Sequence, residues 1–189
     1  EGVVVVDALG TPALAREMLA AIRAVTDQPV RRVIVTHYHA DHVYGLQVFQ
    51  AEGAEIWARS EGQLYLASDL ADERLAQRRV ELAPWVDDST RVLPADRWIE
   101  FKDAESEDFS LGGIDFRLVT GGHAHAPDDL MLLVENDDVL FAGDRGIALD
   151  AFGQRAPFAR LPDLQALFVE GAVTHHQARR RCRLRRPAR

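Results

Sequence analysis

The first four apolar positions, Val3-Val4-Val5-Val6, run without interruption into Asp7, the pattern of a buried strand. Thr11-Pro12 then supplies an N-cap followed by Pro at the first helical position. A helix from there to about Val25 places Leu14, Met18, Ala21 (or Ile22) and Val25 on one face. Asp27-Gln28-Pro29 ends it, and residues 30–35 form a second strand whose end, Val33-Ile34-Val35, is apolar. This strand–helix–strand order predicts a parallel pair with the helix on one face. Residues 43–51 read as a short helix stopped by Glu52-Gly53, and residues 55–59 as a short strand. From Ser60 toward Ala83 the pattern predicts one long helix, marked by Leu64, Leu66, Leu70, Leu75, Val80 and Leu82 and closed by Pro84-Trp85.

Beyond Arg91 the period changes from helical to strand-like. Ser110-Leu111-Gly112-Gly113-Ile114 reads as a hairpin, and Glu135-Asn136-Asp137-Asp138 as a turn between two apolar strands. After Arg145 the regular pattern weakens, with a helix expected over residues 161–169. No internal repeat is evident.

With 189 residues, 47% of them hydrophobic, the chain is long enough for one well-buried domain. A net charge of −8 argues against a general nucleic-acid binder, and no apolar run is long enough to span a membrane. The single cysteine, Cys182, excludes an intramolecular disulfide. Seven of the last eleven residues are Arg. Such a tail is either a contact for anionic lipid or nucleic acid, or out-of-frame translation of a GC-rich gene. The chain opens on Glu-Gly without Met or a leader, so a fragment is expected, and both cytoplasm and periplasm stay open as compartments.

The chemistry concentrates in Thr36-His37-Tyr38-His39-Ala40-Asp41-His42-Val43-Tyr44-Gly45. On an extended segment, His37, His39 and Asp41 share one side, and a tight bend turns His42 inward with them. Nitrogen and oxygen donors without thiolate suit Zn²⁺, with Fe or Mn as alternatives. Two further clusters each follow a strand-like run. These are Gly121-Gly122-His123-Ala124-His125-Ala126-Pro127-Asp128-Asp129, and Gly143-Asp144 after Val139-Leu140-Phe141-Ala142. Ligands delivered from several strand ends are how a rigid sheet holds a metal.

From about residue 3 to about residue 145 the chain resembles the metallo-β-lactamase superfamily, whose His-x-His-x-Asp-His motif stands at residues 37–42. The resemblance implies an α/β fold, an αββα sandwich of two packed sheets with helices outside, here incomplete at both ends. It divides the chain into a metallo-β-lactamase-like domain over residues 1–150 and a remnant or aberrant Arg-rich segment over residues 151–189. It implies a first metal site of His37, His39 and His125, and a second begun by Asp41 and His42 and bridged by Asp144. One or two Zn²⁺ ions (Fe being the alternative) would then activate water as hydroxide, with Asp41 as the catalytic carboxylate.

The substrate implied is a small molecule with a carbonyl-type centre: a lactam, thioester or lactone. Two alternatives accompany that reading. One is a mononuclear iron persulfide dioxygenase using His37, His125 and Asp144, and the other is a catalytically impaired fragment. Asp7, Asp128 and Asp129 are expected to support the site, Gly45 to permit close packing, and His123 to line the wall. No Pro-Gly-His follows, which leaves His175 and His176 as the candidates for a closing ligand. Oligomeric state is not legible.

Overall fold

Every position of Val3–Val6 is apolar because both faces of that strand are covered. In this computed structural model, which describes residues 1–101, 106–120, 122 and 124–144, it forms β1. The order continues α1 (Pro12–Arg23), β2 (Val30–Ile34), α2 (Ala40–Val43), α3 (Leu46–Ala51), β3 (Glu55–Arg59), α4 (Gln63–Leu66), α5 (Asp69–Glu81) and β4 (Arg97–Ile99). Then come β5 (Ser106–Leu111), β6 (Ile114–Val119), β7 (Met131–Val134) and β8 (Val139–Phe141). Strands β1-β2-β3-β4 form one sheet, parallel throughout, and β5-β6-β7-β8 a second, antiparallel throughout.

Alternation along the parallel strands divides the core in two. Val5, Val33, Ile56 and Ala58 pack with Ala15, Met18 and Ile22 of α1 and with Leu46 and Phe49 of α3. Their neighbours Val6, Ile34, Trp57 and Ile99 face the other way, onto Phe116, Leu118, Leu132 and Phe141 of the second sheet. Helices, parallel sheet and antiparallel sheet thus stack in order, the mixed α/β sandwich expected. The expected helix over residues 161–169 lies outside the described residues.

Helix α1 begins as the sequence indicates, with the Thr11 hydroxyl accepting from the Leu14 N–H at 3.1 Å and Pro12 at the first position. Its buried stripe is Pro12, Ala15, Met18 and Ile22, whereas Leu14 and Val25 are 45% and 43% exposed. The larger correction concerns residues 60–83. The expected single helix is a 3₁₀ turn, then α4, then a break at Ala67-Ser68 before α5. Leu64, Leu70 and Val80 face solvent, and Leu66, Ala71 and Leu75 are the buried hydrophobic residues there. The expected helix over residues 43–51 is likewise split, into α2 and α3. The hairpin at Gly112-Gly113 pairs Leu111 with Ile114 as read. The second sheet is an antiparallel meander.

Candidate metal centre

Parallel strands end together, and the first two deliver the site. Pairing of Val6 with Ile34 brings Asp7 beside Thr36. The Asp7 carboxylate accepts from the Thr36 N–H and the Thr36 hydroxyl, each at 2.8 Å, and from His42 Nδ1 at 2.8 Å. Because the Thr36 hydroxyl gives its proton to Asp7, its oxygen is left to accept from His37 Nδ1, 3.1 Å away. His37 Nε2 is thereby freed as a lone pair aimed into the site. One carboxylate orients two imidazoles, the arrangement that fixes a ligand's tautomer.

Asp7 and Leu9 both adopt left-handed backbone, with φ of 57° and 65°. For Leu that costs about 1–2 kcal/mol. The turn is held by the Ala8 N–H on His42 O (2.8 Å) and by the Gly45 N–H on Leu9 O (3.1 Å). The bend begins before Asp41 rather than after it: it is α2, Ala40–Val43, with His39 as its N-cap. Thr36 carried no role in the sequence reading. Only its place beside Asp7, 29 residues earlier, gives it one.

The other cluster arrives from the second sheet. The Asp129 carboxylate accepts from the N–H groups of Ala124, His125 and Ala126 at 3.1, 2.7 and 3.0 Å, folding residues 124–129 into a tight loop. That loop sets His125 Nε2 3.0 Å from His39 Nδ1, which is itself 3.0 Å from His37 Nε2. Asp144 enters from the end of β8. Its carboxylate is 3.5 Å from His125 Nε2, 3.6 Å from His42 Nε2 and 4.0 Å from His37 Nε2.

Two donor groups result, His37-His39-His125 and His37-His42-Asp144, each with its ligand atoms within 4.8 Å of one another. Asp41 lies beside His42 (3.4 Å) but outside both groups, its side chain 75% exposed. His123, His175 and His176 lie outside the described residues.

The charges at His37 and His39 suit a cation site. Burial, together with the neighbouring imidazoles, lowers His37 to about 3, so its ring is neutral and able to donate a lone pair. Burial and His125 lower His39 as well. Burial opposes charge on His42, but hydrogen bonds to Asp41 and Asp7 outweigh it and push His42 up to about 10. The hydrogen bond from His42 holds Asp41 well below the usual carboxylate range. Three imidazole nitrogens facing one point, each approach near 3.0 Å, cannot all be satisfied by one another's single protons. A soft-to-borderline divalent cation such as Zn²⁺ fits that donor set.

Two expected results follow from this geometry. Asp7→Ala should weaken metal binding about 10–100-fold by releasing Thr36, His37 and His42 together. Equilibrium dialysis against Zn²⁺ measures this, and unchanged affinity would contradict the orienting role. The second concerns metal-free protein. His42, raised from 6.5 to about 10, contributes stability present below pH 6.5 and lost as pH rises through 10. His37, lowered to about 3, contributes in the opposite sense below pH 6.5. There it is opposed by Asp128, which burial raises from 3.8 to about 7. The urea midpoint of chelator-treated protein should therefore change little between pH 4 and 6.5 and fall from pH 7 to 9. His42→Asn should remove that fall.

Comparisons with known proteins place the chain in a family and match its fold. A model described as the metallo-beta-lactamase superfamily matches residues 1–150. The chain is 31% identical over 77 residues to a linear primary-alkylsulfatase of Pseudomonas sp. (strain ATCC 19151), a match covering 41% of this chain and 14% of that protein. Among solved structures, the inverting sec-alkylsulfatase Pisa1 from Pseudomonas sp. superposes with a TM-score of 0.59 at 18% identity, over 76% of this chain and 26% of that one. A metallo-beta-lactamase from Pontibacter korlensis gives a TM-score of 0.58 at 20% identity, over 85% of this chain and 72% of that one. The chain spans a small part of either alkylsulfatase, and at these identities the two structures show the fold. With residues 1–150 matched by its model, the chain belongs to the metallo-beta-lactamase superfamily.

Proposed function

We propose that this chain carries the metal centre of a metal-dependent hydrolase. The observation that supports it most is the meeting of His37 and His39 from β2 with His125 from the second sheet, at 3.0 Å separations. In this reading His37, His39 and His125 would hold one Zn²⁺, and the second donor group, His42 and Asp144 with Asp41 beside them, shares His37 with the first. Bound there, Zn²⁺ supplies Lewis acidity and lowers the pKa of water from ~15.7 toward ~7.

The protein's own groups do the rest. Thr36 keeps His37 in the tautomer whose Nε2 faces inward, and Asp7 does the same for His42. Asp41, exposed and kept ionised by His42, accepts a proton from the attacking water and passes it to the leaving group. The participation of His39 favours a three-imidazole centre over the two-histidine, one-carboxylate set of the iron oxygenase reading.

The alkylsulfatase relative adds sulfate esters to the lactam, thioester and lactone classes, and an alkyl sulfate is the substrate we place first. Zn²⁺-loaded protein assayed against a linear alkyl sulfate, a lactam, a thioester and a lactone tests this. Turnover of at least one is expected, falling about 10²–10⁴-fold in Asp41→Asn with the three-imidazole metal retained. Turnover of none, or one bound iron with O₂ uptake, would refute the hydrolase.

A further inference from the structure

Arg59 ends β3, and its side chain leaves its own sheet. Nη1 donates to the carbonyls of Pro127 (3.2 Å) and Asp129 (3.4 Å), 68 and 70 residues further along. Nη2 pairs with Glu61, and the residue is only 7% exposed. A planar guanidinium can serve two carbonyls and a carboxylate at once, which a single ammonium cannot do in the same plane.

The carbonyls belong to the loop that carries His125. The loop's N–H groups turn inward onto the Asp129 carboxylate, so carbonyls are what it presents to Arg59. His37 and His39 share one loop at the end of β2, and their relative position is set locally. His125 is contributed by the other sheet, so its approach depends on how the two sheets are joined at this edge. Arg59 is a direct hydrogen-bonded link across it.

Asp128 adds a second observation. It is 1% exposed, and no side chain hydrogen-bonds either carboxyl oxygen. It packs so closely on Gly62 that a Cβ there would lie 2.8 Å from Asp128 Oδ2. Arg59 Nε is also buried without a hydrogen-bond partner. A carboxylate so enclosed needs a cation nearby, and the charge of Arg59 acts on it in the stabilising direction. The guanidinium therefore both ties the loop and offsets the charge the loop buries.

We propose that Arg59 is a positioning residue for His125, fixing the loop between β6 and β7 so that the third imidazole reaches the pair formed by His37 and His39. The inference rests on these three being metal ligands.

Co²⁺ titration of the full chain, followed by visible absorption, tests it. The proteins compared are wild type, His125→Ala, Arg59→Lys, and Arg59→Met combined with Asp128→Asn, which removes the charge that would otherwise be stranded. Circular dichroism of each without metal reports folding. The Arg59 variants are expected to stay folded and to bind Co²⁺ about 10–100-fold more weakly. Their d–d spectrum should move toward that of His125→Ala, which a merely structural role would not produce. A folded Arg59 variant with wild-type affinity and spectrum overturns the proposal. Failure of both variants to fold overturns it too, because Arg59 would then hold the whole domain. Wild type that binds no Co²⁺ would instead refute the metal centre, and the clamp with it.

Discussion

His37→Ala is expected to leave the protein without stoichiometric metal in either donor group. His37 Nε2 stands in both, whereas His39 and His125 stand only in the first and His42 and Asp144 only in the second. If roughly 10–16 kcal/mol of Zn²⁺ binding is shared among four donors, each ligand contributes about 2.5–4 kcal/mol, or about 10²–10³-fold in affinity. His39→Ala and His125→Ala should therefore empty the three-imidazole group alone, and His42→Ala the other. His37 also differs in burial, being 1% exposed. Its replacement opens a cavity at the site's floor as well as removing a donor. Metal content after reconstitution and desalting measures the pattern. Full metal retention in His37→Ala would remove the basis for both groups.

Gly45→Ala is expected to be the most destabilising conservative change near the site. A Cβ there would lie 1.9 Å from Ala8 O and 2.6 Å from Ala15 Cβ. Overpacking ordinarily costs about 1–3 kcal/mol. Here the obstacle is a backbone oxygen, so the loss should exceed about 3 kcal/mol. The turn at residues 7–9 would have to move, breaking the Ala8–His42 and Leu9–Gly45 backbone hydrogen bonds and carrying Asp7 with it. Stability and affinity should fall together. Gly53→Ala is the control: its φ is +84° but nothing lies within 4 Å, so only the ~1–2 kcal/mol left-handed penalty applies. Urea midpoints that rank the two variants equally would show that the close approach at Gly45 is not enforced.

The two cases differ in how visible they were beforehand. Gly45 was legible as a packing glycine, since it follows the His-rich stretch at a helix boundary. What it packs on was not, because Ala8 is 37 positions away and nothing local names it. Residues 60–83 failed for the opposite reason. Their Leu, Ala, Glu and Arg content favours helix throughout, and propensity alone gives no break. A signal was present in Ser68-Asp69 and Asp72, a helix start with acidic residues in its first turn. Leu64, Leu70 and Val80 are apolar without being core, because a buried stripe depends on what the helix meets, and α5 is buried at Ala71 and Leu75.

The sequence by itself determined the donors, the strand that ends in them and the tight bend that gathers His37, His39 and His42. All of these are set by period, turn chemistry and neighbours a few residues apart. The resemblance already names His125 as the third ligand, but only the tertiary structure brings its Nε2 to 3.0 Å from Nδ1 of His39, 86 residues away. The tertiary structure also decided that Asp7 orients His37 through Thr36, and that Arg59 ties the His125 loop to the parallel sheet. Those relations depend on two sheets packing through Val6, Ile34, Trp57, Phe116 and Leu132. Apolar packing is non-directional, so no single residue in it announces which distant side chains it will bring together.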